Sequence, residues 1–286
     1  MGTNADKHAR QKERRGRVDE ARRQVEQQAR RRRTMTIVGG VIAVLVVIGV
    51  VVAFTRGDDT DDTASDDTTP TTAAESTTTT SAAPAAELPA PLPGITLTSD
   101  TECPPAAGAE ERVQKFAGPP PECIDPDATY TATFSTSEGD FTATLDAQAA
   151  PETVNNFVVL ARYRYYEGVP FHRIVPGFVI QAGDGDGEPW GNNDLGYSIA
   201  DELPADSSAY SDYALAMANS GPDTNGSQFF VVLPGGGAQL QPLYSFFGQV
   251  TDGTEVVDTI ATYADGQTPT RAVLIDSIAI TETPAG

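Results

Sequence analysis

Cysteine, histidine and tryptophan are scarce in this sequence: two cysteines, two histidines and one tryptophan among 286 residues. The cysteines, Cys103 and Cys123, have no histidine between them and are not spaced as C-x-x-C. A zinc site and a thiol-based redox centre are therefore not expected. No acidic or nucleophilic residue is spaced with His172 for catalysis, so we expect this histidine to have a structural role.

Basic residues are concentrated at one end of the chain. The net charge is -21, but residues 1–33 contain 12 Lys/Arg and 5 Asp/Glu, so they carry +7 and the rest of the chain carries -28. An acidic portion of this size repels the nucleic-acid backbone. We therefore expect no nucleic-acid binding by it.

One long apolar run, residues 35–54, has no charge and is long enough to cross a hydrocarbon core of about 30 Å. Arginines 30–33 precede it and aspartates follow it, which predicts a cytoplasmic N-terminus and an extracytoplasmic C-terminal portion at the cell membrane. A cleaved signal peptide is the alternative, and 51–53 resembles a cleavage site. The charged region before the run is longer than an ordinary signal, which favours an uncleaved single-pass anchor in the lipid bilayer.

Composition divides the chain into segments. Residues 55–94 contain almost no large apolar residue, so burial of apolar surface there cannot offset the entropy lost on ordering the chain. With two thiols and an extracytoplasmic location, a Cys103–Cys123 disulfide is expected. The predicted segments are a basic cytoplasmic tail (1–34), a transmembrane helix (35–54), a disordered Thr/Ala/Asp/Pro-rich linker (55–94), a Cys-containing extension (95–127) and a folded domain (128–283).

The folded domain has mostly strand-like patterns. Tyr130–Phe134 and Phe141–Leu145 alternate around Glu138–Asp140, which predicts a hairpin. Pro151 begins a helix predicted to run to about Tyr165. The later predicted elements are a strand at 246–250, a short helix at about 254–262 and a strand at 272–281. The pattern alone indicates a mostly antiparallel β domain with two helices.

The stretch 171–183 alternates polar and apolar residues around a Pro176-Gly177 turn. Strand-like arms at 169–174 and 178–182 flank this turn. Residues two apart on a strand share a face, so Arg173 is expected beside Phe171, and Val179 beside Gln181. A cation, aromatic rings and an amide on one concave surface suit a neutral peptide better than a metal or a phosphate.

A second stretch, 215–230, predicts an apolar strand, a turn-rich loop and a further strand beginning at Gln228. FHRIVPGFVIQAGD together with MANSGPDTNGSQFF resembles the paired signature of cyclophilin-type peptidyl-prolyl cis-trans isomerases, and the resemblance covers about 128–283. It implies a closed eight-stranded antiparallel β-barrel capped by two α-helices. It also implies isomerase activity on proline-containing polypeptides without a metal or a cofactor, and we expect the domain to be monomeric.

Rotation of an X-Pro bond crosses a barrier of about 18–20 kcal/mol and needs no nucleophile, metal or cofactor. A donor aimed at the prolyl nitrogen and a dry pocket for the ring stabilise the twisted amide. The resemblance assigns Arg173 as the catalytic arginine. The substrate-binding residues that it implies are Phe178, Val179, Gln181, Ala218, Asn219, Gln228, Phe230, Leu240 and Tyr244.

Several positions depart from the family pattern. Val179 lies where methionine is commoner, Tyr244 where histidine often occurs, and Gln239 where many members have tryptophan. In the loops, Tyr213 occupies a position often held by glycine, and Asp223 one often held by asparagine. We expect an isomerase for exported or cell-envelope proteins; the alternative is a tethered proline-peptide-binding chaperone or scaffold with weak or incidental isomerase activity.

The acidic segment 184–188 has some likeness to a calcium loop. An EF-hand counted from Asp184 needs an acidic residue at the position that Leu195 occupies. The sequence therefore predicts a turn here and no metal site.

Overall fold

The computed structural model describes residues 84–187, 190–191 and 194–285. They belong to a compact unit that spans Thr80–Gly286. The predicted cytoplasmic tail, the apolar run 35–54 and most of the predicted linker lie outside the described residues. Within the described ranges, no helix combines the length and the apolar character needed to span a bilayer.

Short strands and two α-helices form the described part of the chain, with two 3₁₀ turns at Ser207–Ala209 and Gly236–Gln239. The predicted hairpin, both helices and the late strands are confirmed, although the first helix ends at Arg162 and not near Tyr165. In chain order the elements are β1 (Ile95–Thr96), β2 (Val113–Lys115), β3 (Thr129–Thr136), β4 (Gly139–Leu145), α1 (Pro151–Arg162), β5 (Val169–Pro170), β6 (Arg173–Val175), β7 (Val179–Ala182), β8 (Ala214–Met217), β9 (Phe229–Val232), β10 (Phe246–Asp252), α2 (Thr254–Ala261), β11 (Ala264–Asp265), β12 (Thr268–Pro269) and β13 (Leu274–Thr283).

The main sheet has nine strands in the order β5-β13-β3-β4-β10-β8-β9-β7-β6. Its two edge strands, β5 and β6, are separated in the chain only by Phe171 and His172. Two residues span little more than about 10 Å, so the sheet must curl until its edges come close together. The described part of the chain is thus mostly β, with a curled sheet and two helices.

The expected closed eight-stranded barrel differs from this sheet because the arm predicted at 169–174 is interrupted. Phe171 donates its backbone N–H to Val273 and is fully buried in the main core, whereas Arg173 pairs with β7. The arm is therefore two strands at opposite edges of the sheet. The prediction that Arg173 and Phe171 share a face is wrong, since Phe171 is buried in the main core whereas Arg173 lies opposite Gln181 on the other face of the sheet.

The two faces of β7 explain where the core ends and the site begins. Ile180 and Ala182 belong to the main core, which also contains the buried face of α1. Val179 belongs to a second, separate apolar cluster. Side chains alternate along a strand, so the face of β7 with Ile180 and Ala182 packs on the core. The opposite face, with Val179, is available for the functional site.

The extension lies against the domain. Cys103 and Cys123 form the predicted disulfide, and Asn155 of α1 accepts a hydrogen bond from the Cys123 backbone N–H at 2.7 Å. Residues 84–94 fall in the predicted disordered linker, but Ala86 donates its backbone N–H to the carbonyl of Pro269 at 2.7 Å. Arg112 also donates to the Leu92 carbonyl at 2.7 Å, so backbone groups of this stretch have partners on the domain.

Candidate active site

A row of cross-strand neighbours crosses the strands β6, β7, β9 and β8. Arg173 lies opposite Gln181, Gln181 opposite Phe230, and Phe230 opposite Ala216. Directly opposed residues of antiparallel strands point to the same face. The sheet therefore aligns a cation, an amide, an aromatic ring and a small side chain on one surface.

Two amides hold the guanidinium of Arg173. Its Nε donates to Oε1 of Gln267 at 2.9 Å, and its Nη1 donates to Oε1 of Gln181 at 3.2 Å. Gln181 in turn donates to Oε1 of Gln228 at 2.9 Å. Arg162, in contrast, pairs with the carboxylate of Glu282. Neutral amide partners orient the Arg173 guanidinium without neutralising its charge, and its remaining N–H groups are left for a bound peptide.

The row ends on the second apolar cluster, which contains its members Phe230 and Ala216 and which we call the apolar patch. The Phe230 and Tyr244 rings meet edge to face, with centroids 5.4 Å apart and an interplanar angle of 86°. The hydroxyl of Tyr210 donates to the Tyr244 carbonyl at 2.7 Å and accepts from the Tyr244 N–H at 3.1 Å. These two bonds hold the backbone of Tyr244 and so position its ring. The buried members are Val179, Tyr210, Ala214, Ala216, Phe230, Val232 and Leu240, with Phe178, Ala218, Tyr244 and Phe246 packed against them.

The glycine-rich 3₁₀ turn Gly236–Gln239 forms one side of the apolar patch. A Cβ atom on Gly236 would overlap the Phe178 carbonyl oxygen, and one on Gly237 would overlap the Tyr210 carbonyl oxygen. This close approach requires glycine and brings Leu240, which follows the turn, onto the patch. Gln239 is exposed and donates to the carbonyl of Gly177 at 3.2 Å.

A polar cavity of about 260 Å³ adjoins the row and shares Gln181 with it, and Gln228, which accepts a hydrogen bond from Gln181, also lines the cavity. Asn219 also lines it, but its side chain donates to the Leu243 carbonyl at 3.0 Å and so helps to build the wall. The predicted substrate-binding residues therefore fall into two neighbouring groups, one on the apolar patch and one on the cavity. The lining residues are Gln181, Gly191, Leu195, Tyr197, Ser198, Ala218, Asn219, Ser220, Thr224, Gly226 and Gln228.

His172 lies next to the site without joining the row. Burial lowers its pKa to about 4, and the nearby positive charge of Arg173 adds to this effect, while the carbonyl of Pro170 opposes it. The ring is stacked near Trp190, with centroids 6.5 Å apart. The imidazole is thus neutral near pH 7, in keeping with a structural role.

Sequence reasoning missed Tyr210 and Gln267. Tyr210 follows a short 3₁₀ turn in a loop without a motif, and Gln267 lies 94 residues after the arginine that it contacts. The only signal at Gln267 is the Asp265-Gly266 dipeptide, which indicates a turn but no partner. No cluster of three or more metal-ligating His, Cys, Asp or Glu side chains occurs among the described residues.

An oriented guanidinium beside an apolar patch and a polar cavity defines a class of enzyme that binds a peptide and twists a prolyl bond without covalent chemistry. Residues 131–280 match the protein-family model described as cyclophilin type peptidyl-prolyl cis-trans isomerase/CLD. The chain belongs to this family and is a peptidyl-prolyl cis-trans isomerase.

Individual relatives agree with this family. The chain is 41% identical over 174 residues to peptidyl-prolyl cis-trans isomerase A of Mycobacterium tuberculosis, covering 54% of this chain and 94% of that protein. It is 44% identical over 125 residues to peptidyl-prolyl cis-trans isomerase-like 1 of Aspergillus oryzae, covering 43% and 77%. A crystal structure of a Cryptosporidium parvum cyclophilin type isomerase is similar at 30% identity and a TM-score of 0.49, covering 55% of this chain and 99% of that one.

Proposed function

We propose that this isomerase acts on exported or cell-envelope proteins and is held at the outer face of a membrane by residues 35–54. The apolar run with arginines before it and aspartates after it supports this orientation. The Cys103–Cys123 disulfide supports it independently, because disulfides are typical of oxidising compartments.

Within the site we assign Arg173 as the group that donates a hydrogen bond to the prolyl nitrogen as the bond rotates. This donation withdraws the nitrogen lone pair from amide resonance and lowers the barrier of about 18–20 kcal/mol. The apolar patch around Phe230 receives the pyrrolidine ring, while Gln181, Gln228 and Asn219 bind the flanking backbone. The observation that carries this assignment is the cross-strand row that places Arg173 and Phe230 on one face.

The assignment is tested by measuring prolyl exchange in a short Ala-Pro peptide by NMR, with the full-length chain in detergent. We expect Arg173→Ala to lower kcat/KM by roughly 10²–10³-fold, the usual cost of removing a donor that stabilises a transition state. Arg164→Ala is the matched control, since Arg164 pairs with Glu167 and is not part of the site. Equal rates for the wild type and Arg173→Ala would refute the assignment.

The membrane placement has its own test. In intact cells that express the full chain, added protease should digest the isomerase domain, while an epitope placed before residue 30 should stay protected until the cells are lysed. A protected domain in intact cells would contradict the proposed location.

The alternative, a tethered chaperone that binds proline-containing segments, is favoured by the replacements at Val179 and Gln239. Growth of a strain that lacks this gene, complemented with the wild type or with Arg173→Ala, distinguishes the two functions. An Arg173→Ala variant that restores growth as well as the wild type would favour binding, and failure to restore it would favour catalysis.

A further inference from the structure

We propose that Gln267 is a positioning residue for Arg173 and thereby sets the rate of isomerisation without touching the substrate. Its Oε1 atom accepts a hydrogen bond from Arg173 Nε at 2.9 Å. Gln267 is exposed, so its side chain is not required to fill a core. The inference rests on the proposed role of Arg173 as the donor.

Two acceptors on different edges fix the plane of a guanidinium, whereas one leaves it free to rotate. Gln181 accepts from Nη1 at 3.2 Å, and Gln267 accepts from Nε on the opposite edge. A long arginine side chain otherwise has many rotamers, and ordering them costs up to about 2 kcal/mol. A donor displaced by about 1 Å loses much of its effect on the reacting bond, so orientation of this group bears directly on the rate.

The backbone aims Gln267 at Arg173. Gly266 and Gln267 form the two-residue turn between β11 and β12, and Gly266 has φ of 63°, which such turns require at their first position. The Ile174 N–H donates to the Gln267 carbonyl at 3.3 Å. The turn is therefore attached to β6 at the residue that follows Arg173.

The residues at both ends of this hairpin, Tyr263 and Pro269, have contacts with other parts of the domain and its extension. The hydroxyl of Tyr263 donates to Glu138 at 2.8 Å, and the guanidinium of Arg271 lies 5.0 Å from the centroid of the Tyr263 ring. The extension adds the hydrogen bond from Ala86 to the carbonyl of Pro269 at 2.7 Å. These contacts hold an exposed turn in place, so that its glutamine can act as a fixed acceptor.

The test separates kcat from KM in the full-length chain. Gln267→Ala should lower kcat roughly three- to tenfold, the range expected for one net hydrogen bond, and leave KM within about twofold. Gln267→Glu keeps an acceptor oxygen for Nε but places a negative charge beside the guanidinium, so its kcat should lie above that of Gln267→Ala and below that of the wild type. Thr268→Ala, an exposed neighbour in the same hairpin, is the matched control and should change neither constant.

A double-mutant cycle decides whether Gln267 acts through Arg173. In an Arg173→Ala background, Gln267→Ala should cause no further loss. Losses that multiply, or a raised KM with unchanged kcat, would overturn the positioning role. A slow Arg173→Ala together with a fully active Gln267→Ala would refute this inference alone, whereas a fully active Arg173→Ala would refute the proposed catalytic role and this inference with it.

Discussion

At the scale of single residues, backbone conformation explains why two positions that depart from the family pattern often hold glycine or asparagine. Tyr213, at a position often held by glycine, has φ of 65°, and Asp223, at one often held by asparagine, has φ of 57°. Both lie in the left-handed region, which aspartate adopts more readily than most residues and where a bulky residue such as Tyr213 is strained. The Tyr213 hydroxyl donates to the carboxylate of Asp258 in α2 at 3.0 Å, a contact that offsets part of this strain.

The sequence was sufficient to name candidate site residues, but it did not predict which distant residues hold them by hydrogen bonds. The motifs named Arg173, Gln181 and Phe230, because motif residues are a local property. The row that places them on one face comes from strand pairing, and alternation along the chain had instead put Arg173 beside Phe171. Nothing local names Gln267 or Tyr210, since their contacts depend on how distant loops meet. Long-range partners of this kind require the folded chain.

His172 makes folding stability depend on pH. Its pKa is about 4 when folded and about 6.5 when unfolded, so between these values the unfolded state binds more protons and stability falls as the pH is lowered. Between pH 7 and pH 5 this group should lower the free energy of unfolding by about 2 kcal/mol. Urea unfolding of the wild type and His172→Gln at both pH values measures the difference. The two proteins losing stability equally over this interval would contradict the buried, neutral state of His172.

At the scale of elements, strong periodicity was sufficient for some predictions and misleading for one. The β3–β4 hairpin and α1 follow from alternation and from Pro151 at the start of the helix. The arm at 169–174 has an equally good strand pattern, but it divides at Phe171 because burial of that ring in the core outweighs continuity of the strand. Local pattern cannot reveal a break that tertiary packing imposes.

The turn Gly236–Gln239 should be intolerant of small substitutions. In Gly237→Ala the added methyl group would overlap the Tyr210 carbonyl, so the turn or the Tyr210 loop must shift. We expect a loss of about 2–4 kcal/mol in the free energy of unfolding and a several-fold lower kcat/KM, since Leu240 and Tyr244 depend on these segments. Urea unfolding and the peptide exchange assay measure the two effects. Gly118→Ala is the control, because a Cβ there meets nothing within 4 Å; similar behaviour of the two variants would argue against the close contact.

At the scale of the whole molecule, the extension contributes to the domain that the family model covers. Phe116 donates its backbone N–H to the Leu195 carbonyl at 3.1 Å, and its ring meets Tyr197 edge to face at 6.1 Å. Leu195 and Tyr197 both line the polar cavity. Residues that precede the matched range 131–280 therefore support a wall of the site. Composition showed an extension with two cysteines but gave no indication of this contact.

The effects of the disulfide and of the Phe116 contacts should be measurable separately, because the disulfide restricts the unfolded chain whereas Phe116 acts in the folded domain. The disulfide closes a loop with a sequence separation of 20 residues and restricts the unfolded chain, so replacing both Cys103 and Cys123 with serine should lower the free energy of unfolding by about 3 kcal/mol. The contacts of Phe116 with Leu195 and Tyr197 need no disulfide once the domain is folded. At 25 °C the double variant should therefore keep kcat/KM within about twofold, whereas Phe116→Ala should raise KM for a substrate long enough to reach the cavity. Reductant added to the wild type should reproduce the stability loss, and a fall in activity without a fall in stability would show that the disulfide shapes the folded site itself.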